Sequence, residues 1–117
     1  MKNFKTLRIW QKGLEIAVKS YRLTSQFPSQ EKFSIVSQIN RAGISIPSNI
    51  AEGSSRKSEK DYARFIEISL GSSFELETQL LIAQQLNFGN QTELQHLLAE
   101  VNEEQKMLQG FNSKLNL

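Results

Sequence analysis

An apolar repeat with the period of an α-helix runs through the middle of the chain and passes a proline without losing register. The repeat consists of Ile35, Ile39, Ala42, Ile46 and Ile50. Pro47 lies inside it, and a proline within a helix lacks an N–H donor while its ring presses on the carbonyl four residues back. That carbonyl belongs to Gly43, whose missing side chain leaves the backbone room to bend aside. The pattern therefore predicts a helix kinked at Pro47 rather than one that stops near Ser45.

The same period recurs along the rest of the chain, so the sequence predicts four helices and no strand. We expect the helices at about residues 7–26, 30–55, 59–87 and 91–115. Four amphipathic helices with short connections typically form an antiparallel bundle. The predicted fold is therefore all-α, an up-down-up-down four-helix bundle with helix 2 kinked, and the 117 residues are expected to form a single domain over residues 1–117.

Polar and glycine residues mark the expected ends of the helices. Ser29 and Ser58 can accept hydrogen bonds from the first backbone N–H groups of helices 2 and 3, and Asn90 can do so for helix 4. Gly53 and Gly89 suit the left-handed position that follows a helix end. We therefore expect helix 2 to end at or shortly after Gly53, and helix 3 to end just before Gly89.

The apolar residues also predict which helix faces are buried. In helix 1 the expected stripe is Trp10, Leu14, Ala17, Val18 and Tyr21. Helix 3 has a first stripe made of Phe65, Ser69, Ser72, Leu76, Leu80 and Ala83. Its second stripe is made of Ile66, Leu70, Phe74 and Leu81. Two stripes exceed what the neighbouring helices of one chain would cover, so we expect the second stripe to form the interface of a homo-oligomer.

Small and acidic residues give two further expectations about packing. The Gly71–Ser73 segment is poorly suited to a helix interior, and we expect it to let helix 3 approach the Ala42–Gly43 step of helix 2 closely. Glu100, Glu103 and Glu104 of helix 4 are expected to form an acidic face in contact with solvent.

Charge is distributed unevenly along the chain. Residues 1–60 hold eleven Lys/Arg and four Asp/Glu, a net of +7, whereas residues 61–117 hold three and eight, a net of −5. The basic half can meet a polyanion or complement the acidic half. The candidate nucleic-acid-binding residues are Lys12, Lys19, Arg22, Arg41, Arg56 and Lys57. Asn49, Glu52 and Arg56 follow one another at helical spacing and form a candidate polar cluster, with a solvated face and a helix-capping group as the alternative.

No residue pattern supports catalysis or cofactor binding. The chain has no cysteine, which excludes disulfides and thiolate metal sites. Glu93–His96 is a single Glu-x-x-His motif, whereas a di-iron bundle needs two. His96 is also the only imidazole that could activate a serine. We therefore predict no enzyme, no cofactor and no metal site. No apolar run approaches the ~20 residues of a membrane span and no signal peptide is recognisable, so the cytoplasm is the expected compartment.

Four blocks of the sequence resemble, in order, those of the four-helix-bundle proteins encoded by intervening sequences of large-subunit (23S) ribosomal RNA genes. The blocks are Ile9–Lys12, Tyr21–Pro28, Ser45–Gly53 and Gly71–Leu80. The resemblance covers nearly the whole chain, and Ser45–Gly53 is its most specific block. Asn40 stands where the family often has an arginine, and Ser34 where a glycine is common. The first difference removes a positive charge and weakens the case for phosphate binding on that face.

The resemblance implies a homo-oligomer, since pentameric barrels occur among relatives. Relatives in diversity-generating retroelements are accessory proteins that bind reverse transcriptase and nucleic acid. The expected function is therefore that of a non-catalytic, homo-oligomeric bundle associated with RNA or a ribonucleoprotein. The alternative is a protein–protein adaptor whose basic half only complements its own acidic half. No membrane partner is expected.

Overall fold

The computed structural model describes residues 3–115, and within that range it contains four α-helices and no strand. The helices are α1 (Arg8–Thr24), α2 (Ile35–Ser54), α3 (Glu59–Gln85) and α4 (Gln91–Leu115). Two short 3-10 helices precede α1 and α2, at Phe4–Thr6 and Ser29–Glu31. The all-α prediction is confirmed, and α1, α3 and α4 begin and end within two residues of their predicted bounds.

Each helix packs against the next one along the chain, and α1 packs against α4 to close the bundle. Between α1 and α4, Lys12 pairs with Glu103 near one end, and Gln26 donates a hydrogen bond to Glu93 near the other. The largest buried apolar side chains come from all four helices. They are Ile16, Ile39, Ile46, Ile50, Ile66, Leu76, Leu80, Leu94, Leu97, Val101 and Leu108. Burying each contributes on the order of 1.5–3 kcal/mol of transfer free energy.

The buried face of α1 differs from the predicted stripe. Ala17 is buried as expected, but Leu14, Val18 and Tyr21 are 45%, 42% and 49% exposed. The residues that α1 buries are Ile9, Gly13, Ile16, Ala17, Ser20, Leu23 and Thr24. The helix is therefore rotated about its axis relative to the prediction, and an apolar strip remains on its outer surface.

The rotation of α1 follows from small residues that let α1 and α2 approach closely. A Cβ added to Gly43 of α2 would lie 3.1 Å from Ser20 Oγ and 3.5 Å from Ala17 Cα. A Cβ added to Gly13 of α1 would lie 3.2 Å from Ile46 Cγ2. The Ser20 hydroxyl is satisfied within α1 by donating to a backbone carbonyl. The close approach of the α1 and α2 backbones therefore determines which face of α1 is buried, more than the size of the apolar side chains on α1 does.

Helix α2 begins at Ile35, five residues later than predicted. Ser29 lies in a 3-10 helix and its side chain makes no capping hydrogen bond, so its predicted capping role is wrong. The Ser34 hydroxyl donates 2.8 Å to the Glu31 carboxylate, and Ser34 has a non-helical backbone (φ −121°, ψ −107°). Phe33 is 88% exposed. Residues 29–34 therefore form a local turn, and Phe33, the large apolar residue in this turn, is not buried against the bundle.

The α-helical hydrogen-bonding pattern of α2 continues through Pro47 to Ser54, so the helix does not stop near Ser45. Gly53 lies inside α2 instead of after its end. A Cβ on Gly53 would lie 2.7 Å from Phe65 Cβ, so this glycine permits close contact between α2 and α3.

The α2–α3 contact also differs from the one predicted at Gly71–Ser73. Gly43 packs on α1, and a Cβ on Gly71 would meet no atom within 4 Å. The Gly71–Ser73 segment does contact α2, but through Ser72, and its neighbour is Ser45 instead of the Ala42–Gly43 step. Ser72 Oγ lies 2.7 Å from Ser45 Oγ, and Ser69 donates 2.9 Å to the carbonyl of Ile46.

The predicted starts of α3 and α4 are confirmed. Ser58 Oγ and Asn90 Oδ1 each accept a hydrogen bond from the backbone N–H three residues on, at 3.1 Å and 2.9 Å. Asn87, directly after the C-cap Leu86, takes the left-handed position at the end of α3 with φ +62°, so the prediction of Gly89 for that position is wrong. Gly89 also has a positive φ, +74°, but it lies in the connection between α3 and α4.

Candidate functional site

Three of the six predicted nucleic-acid-binding residues are paired with carboxylates of their own chain. Lys12 Nζ lies 3.5 Å from Glu103 Oε1 across the α1–α4 contact, and the Lys12 side chain is only 17% exposed. Arg56 lies 2.6 Å from Glu52 within α2 and the turn that follows it. Arg56 also stacks over the Phe65 ring, 4.6 Å from its centre. Carboxylates of the same chain therefore already neutralise part of the charge of these cations.

Lys19 is the most strongly paired of the three cations. Its ammonium lies 2.6 Å from Glu100 of α4 and 2.8 Å from Glu15 one turn earlier in α1. Hydrogen bonds to Glu100 and Glu15 raise the pKa of Lys19, and the bond from Lys19 lowers the pKa of Glu15. Lys19 is thus held as a cation by two carboxylates and contributes little net positive charge to the surface.

The other three predicted residues, Arg22, Arg41 and Lys57, are exposed, and their side chains have no ion pair or hydrogen bond within residues 3–115. Arg22 is on α1, Arg41 is on the outer side of α2, and Lys57 is in the α2–α3 turn. These three predicted cations therefore lie at three separate places. A single molecule does not gather them into one continuous patch.

A cleft of about 490 Å³ between α1 and α4 contains Arg22 and His96. The residues that line the cleft are Lys19, Arg22, Leu23, Glu93, His96, Leu97, Ala99 and Glu100. Among its ionic groups, Lys19 and Glu100 are paired with each other across the α1–α4 contact, whereas Arg22 has no ion pair within residues 3–115. His96 is exposed, and no group of three or more metal-ligating side chains exists in the described part of the chain.

The predicted polar cluster is divided in the structure. Glu52 and Arg56 form the ion pair described above, while Asn49 turns the other way along the helix. The Asn49 side-chain amide donates to the Ser45 carbonyl at 2.8 Å and to Ser45 Oγ at 2.9 Å. Ser45 in turn contacts Ser72 of α3. Asn49 therefore takes part in the polar contact between α2 and α3 instead of a shared site with Glu52.

The predicted oligomer interface also separates into two groups. Phe74 and Leu81 are 45% and 43% exposed, so they are accessible to a partner. Leu70 is half-buried against the core. Ile66 is 0% exposed and belongs to the core of its own chain, so its assignment to an interface is wrong. Ile66 is buried because α3 packs on both α2 and α4, and these two helices together cover more of the α3 surface than its first stripe alone.

The structure shows one unusual group that sequence reasoning placed on the surface. Glu104 is 0% exposed, and neither carboxyl oxygen has a hydrogen-bond partner among residues 3–115. A Cβ on Gly13 would lie 3.1 Å from Glu104 Oε2, so the glycine makes room for the carboxyl. Burial raises the pKa of Glu104 to about 8, although the nearby Lys12 charge acts in the opposite direction.

Glu104 falls on the buried side of α4, between Val101 and Leu108 in the helical repeat, and both of these are 0% exposed. This spacing could have predicted the burial of Glu104, because residues three and four apart share a helix face. The prediction of a solvated acidic face is therefore correct for Glu103 and wrong for Glu104, and Glu100 is partly buried in its ion pair with Lys19. None of the helices within residues 3–115 is long and apolar enough to span a membrane.

Comparison with known proteins agrees with the four-helix architecture. The family model described as 23S rRNA-intervening sequence protein matches residues 5–110. The chain is also similar to the crystal structure of a protein with unknown function from the S23 ribosomal protein family of Bacteroides thetaiotaomicron VPI-5482. That similarity has a TM-score of 0.80 at 25% identity and covers 89% of this chain and 97% of the other. No curated protein matches. The family match spans nearly the whole chain, and the chain therefore belongs to the 23S rRNA-intervening sequence protein family.

Proposed function

We propose that this chain is a non-catalytic, cytoplasmic four-helix-bundle protein that assembles into a homo-oligomer and, once assembled, associates with RNA or a ribonucleoprotein. The observation that carries the proposal is the large apolar surface that the bundle leaves uncovered. The exposed large apolar side chains are Leu14, Val18, Tyr21, Phe33, Ile44, Ile68, Phe74, Leu81, Ile82 and Leu86. Several of them follow one another at helical spacing on α1 and on α3, and exposed apolar patches of this kind typically mark a protein–protein interface.

The scaffold in this proposal is an antiparallel, up-down-up-down bundle. The pairing of cross-helix contacts supports it, because residue numbers rise along one helix as they fall along its neighbour. In the α1–α4 contact, Lys12 meets Glu103 while Gln26 meets Glu93. We also propose that α2 bends at Pro47, where the ring removes one hydrogen bond from the helix.

Assembly is tested by measuring the mass of the particle by light scattering across micromolar concentrations. We expect a defined oligomer, with the pentamer implied by the family resemblance as the expected subunit number. A stable monomer throughout this range would contradict the proposal. The measurement should be made at two salt concentrations, because an interface that is mainly apolar persists when charges are screened.

RNA association draws support from the family to which the chain belongs, since that family is named for the 23S rRNA intervening sequence. It also draws support from the exposed, unpaired cations Arg22, Arg41 and Lys57. Three cations on one molecule give weak binding, but an oligomer repeats them in every copy. Several phosphate contacts made together give an affinity that falls steeply with salt.

The RNA proposal is tested by titrating the oligomer with a single-stranded RNA and with a structured rRNA fragment at increasing salt. A triple variant, R22Q/R41Q/K57Q, is expected to weaken binding at least tenfold and to flatten the salt dependence. The matched control is K12Q/K19Q/R56Q, which removes the same formal charge from residues that are already paired. It is expected to change affinity less, provided that circular dichroism shows both variants folded.

The second candidate function is a protein–protein adaptor that binds no nucleic acid. The pairing of Lys12, Lys19 and Arg56 with carboxylates favours it, because half of the predicted cations are used within the chain. No detectable RNA binding by the assembled oligomer at low salt would select this function. Equal loss of affinity in both triple variants would indicate a nonspecific charge effect and would also count against a defined RNA surface.

A further inference from the structure

We propose that the groove between α2 and α3 binds an unpaired guanine base of single-stranded RNA, with Arg41 and Glu75 contacting the base from opposite sides. This inference rests on the proposed association with RNA and names the part of the RNA that the chain recognises. Phosphate contacts alone carry no sequence information, so the groove adds a base preference to the binding described above.

The groove has a volume of about 280 Å³ and is lined mainly by polar side chains. Arg41 lies on its α2 side and Glu75 on its α3 side, and both residues are exposed. The complete lining is Gln38, Arg41, Ala42, Ser45, Glu75 and Gln79. The groove is therefore a polar site between two helices that a ligand can enter from solvent.

Arg41 and Glu75 are available to a ligand. Although they line the same groove, they form no ion pair with each other, and neither side chain has a hydrogen bond within residues 3–115. Gln79 adds an acceptor, because its Oε1 is shielded from solvent and has no donor within the same residues. An unsatisfied buried acceptor is costly. A ligand that donates a hydrogen bond to this amide, once the amide turns toward the groove, removes that cost.

The two sides of the groove are held together by the polar contact between α2 and α3. The hydroxyl of Ser45 lies 2.7 Å from Ser72 Oγ and accepts a hydrogen bond from the Asn49 amide at 2.9 Å. These contacts join the helix that carries Arg41 to the helix that carries Glu75. The site is therefore preorganised, which lowers the free-energy cost of binding.

The charges of the groove favour a neutral polar group over a bare phosphate. Because Glu75 offsets the charge of Arg41, a suitable ligand offers acceptors to one side and donors to the other. Guanine has this arrangement, since its O6 and N7 accept two hydrogen bonds from an arginine while its N1–H and N2 amino groups donate. In a duplex these donors are paired with cytosine, whereas the bases of a single strand are accessible on both edges. The groove therefore fits an unpaired guanine.

The flanking nucleotides have room in a second groove that adjoins the first. It has a volume of about 450 Å³ and shares Gln38, Glu75 and Gln79 with the first groove. It also contains Phe74, whose side chain is 45% exposed, and bases of single-stranded RNA stack on aromatic rings. Phe74 is also a predicted interface residue, so the assignment rests on the polar residues of the first groove.

The test compares RNAs that differ in one base. Short oligouridines with a central guanosine, inosine or adenosine carry the same number of phosphates, so the ratios of their dissociation constants do not depend on general electrostatic attraction. Inosine lacks only the N2 amino group of guanosine. The wild-type protein, in its assembled form, is expected to bind the guanosine RNA about tenfold more tightly than either of the other two. Fluorescence anisotropy at a fixed salt concentration measures the three affinities.

Two variants assign the preference to the groove. Glu75→Ala removes the acceptors on the α3 side and is expected to bring the guanosine-to-inosine ratio close to one. Arg41→Lys keeps the charge but loses the two parallel donors, so it is expected to lower the guanosine-to-adenosine ratio. The matched controls are Glu67→Ala and Arg22→Lys, at exposed positions outside the groove. They are expected to leave both ratios unchanged, with circular dichroism confirming that all four variants are folded.

The outcomes separate this inference from the proposed association with RNA. Absence of binding to all three RNAs at low salt overturns both. Binding with equal affinities overturns the guanine site and leaves RNA association standing. A guanosine preference that persists in Glu75→Ala and Arg41→Lys overturns the assignment to this groove. If light scattering shows that Glu75→Ala dissociates while Glu67→Ala stays assembled, the groove is a contact between copies and the inference is also overturned.

Discussion

Glu104 holds an ionisable carboxyl where solvent does not reach it and no donor group among residues 3–115 satisfies it. An unpaired carboxylate in such a place is costly, so the neutral acid is favoured and burial raises the pKa of Glu104 to about 8. An ordinary carboxyl, with a pKa near 4.5, represents the same group in the unfolded chain. The unfolded state therefore releases its proton first as the pH rises. Stability from this group is complete below pH 4.5 and is lost between about pH 4.5 and 8.

Glu104→Gln should remove this pH dependence, because the amide keeps the shape of the protonated acid and does not titrate. Between pH 5 and 8, the free energy of unfolding of the wild type should fall relative to the variant, with a slope approaching about 1.4 kcal/mol per pH unit. The two proteins should be similar at pH 5, and the variant should be the more stable at pH 8. Urea unfolding at pH 5, 6.5 and 8 measures the difference.

Glu103→Gln is the matched control, since its side chain is 61% exposed and only one residue away. Its stability should follow that of the wild type across the same pH range. If Glu104→Gln also follows the wild type, the carboxyl of Glu104 is ionised in the folded protein and its burial has been compensated.

Two helical glycines should respond in opposite ways to the same added methyl group. A Cβ on Gly53 would lie 2.7 Å from Phe65 Cβ and 3.0 Å from Tyr62 Cδ1, which forces α2 and α3 apart. Gly53→Ala should therefore lower the free energy of unfolding by about 1–3 kcal/mol, as overpacking typically does. Gly110→Ala, where the Cβ meets no atom within 4 Å, should raise it by about 0.5–1 kcal/mol. Thermal unfolding of both variants decides whether packing or helix propensity dominates at each site.

At the level of a helix, the two polar residues predicted to cap α2 and α4 behave differently. Asn90 caps α4 by accepting a hydrogen bond from the Glu93 N–H, whereas the Ser29 side chain caps nothing. Asn90→Ala should therefore cost about 1 kcal/mol of stability, and Ser29→Ala should change it by no more than a few tenths. Chemical unfolding of the two variants measures both values, and equal losses would contradict the late start of α2.

The number of helices and most of their bounds followed from the sequence, because apolar period and capping residues act locally. The orientation of α1 did not follow. Gly13 and Ser20 look neutral in a pattern of large apolar residues, yet they decide which side of α1 approaches α2. Leu14, Val18 and Tyr21 satisfy the helical period equally well and lie outside. Periodicity identifies an apolar face, but it does not say whether a neighbour in the same chain covers it.

The candidate functional residues were harder to predict for a similar reason. Whether a lysine is available depends on a carboxylate from a distant part of the chain, as Glu100 shows for Lys19 across 81 residues. Arg22 carries the same charge and remains unpaired within residues 3–115, and the local sequence does not distinguish the two. The α3 residues Phe74 and Leu81 were correctly expected to be exposed, since an apolar stripe wider than one helix contact leaves some of its members outside.

At the scale of the whole molecule, the basic first half and the acidic second half meet inside each chain. The α1–α4 contact brings Lys12 to Glu103 and Lys19 to Glu100, so part of the +7 and −5 cancels where the bundle closes. Exposed charges without an ion pair among residues 3–115 remain on all four helices, for example Arg22 on α1, Arg41 on α2, Glu67 on α3 and Lys106 on α4. The uneven charge distribution therefore contributes to the contact between α1 and α4. An external polyanion can bind only the cations that are not paired within the chain.

The pairing of basic residues of α1 with acidic residues of α4 predicts a measurable coupling free energy between Lys19 and Glu100. Their side chains are 40% and 19% exposed, so solvent screens the pair and the expected coupling is about 0.5 kcal/mol. A double-mutant cycle with Lys19→Ala and Glu100→Ala measures it by urea unfolding, and 1 M salt should reduce it. Arg64 and Asp61, 3.9 Å apart and more than half exposed, form the control pair with a coupling near zero. A vanishing coupling at Lys19 would mean that this lysine is available to a phosphate after all, and its neutralisation should then weaken RNA binding as much as that of Arg22.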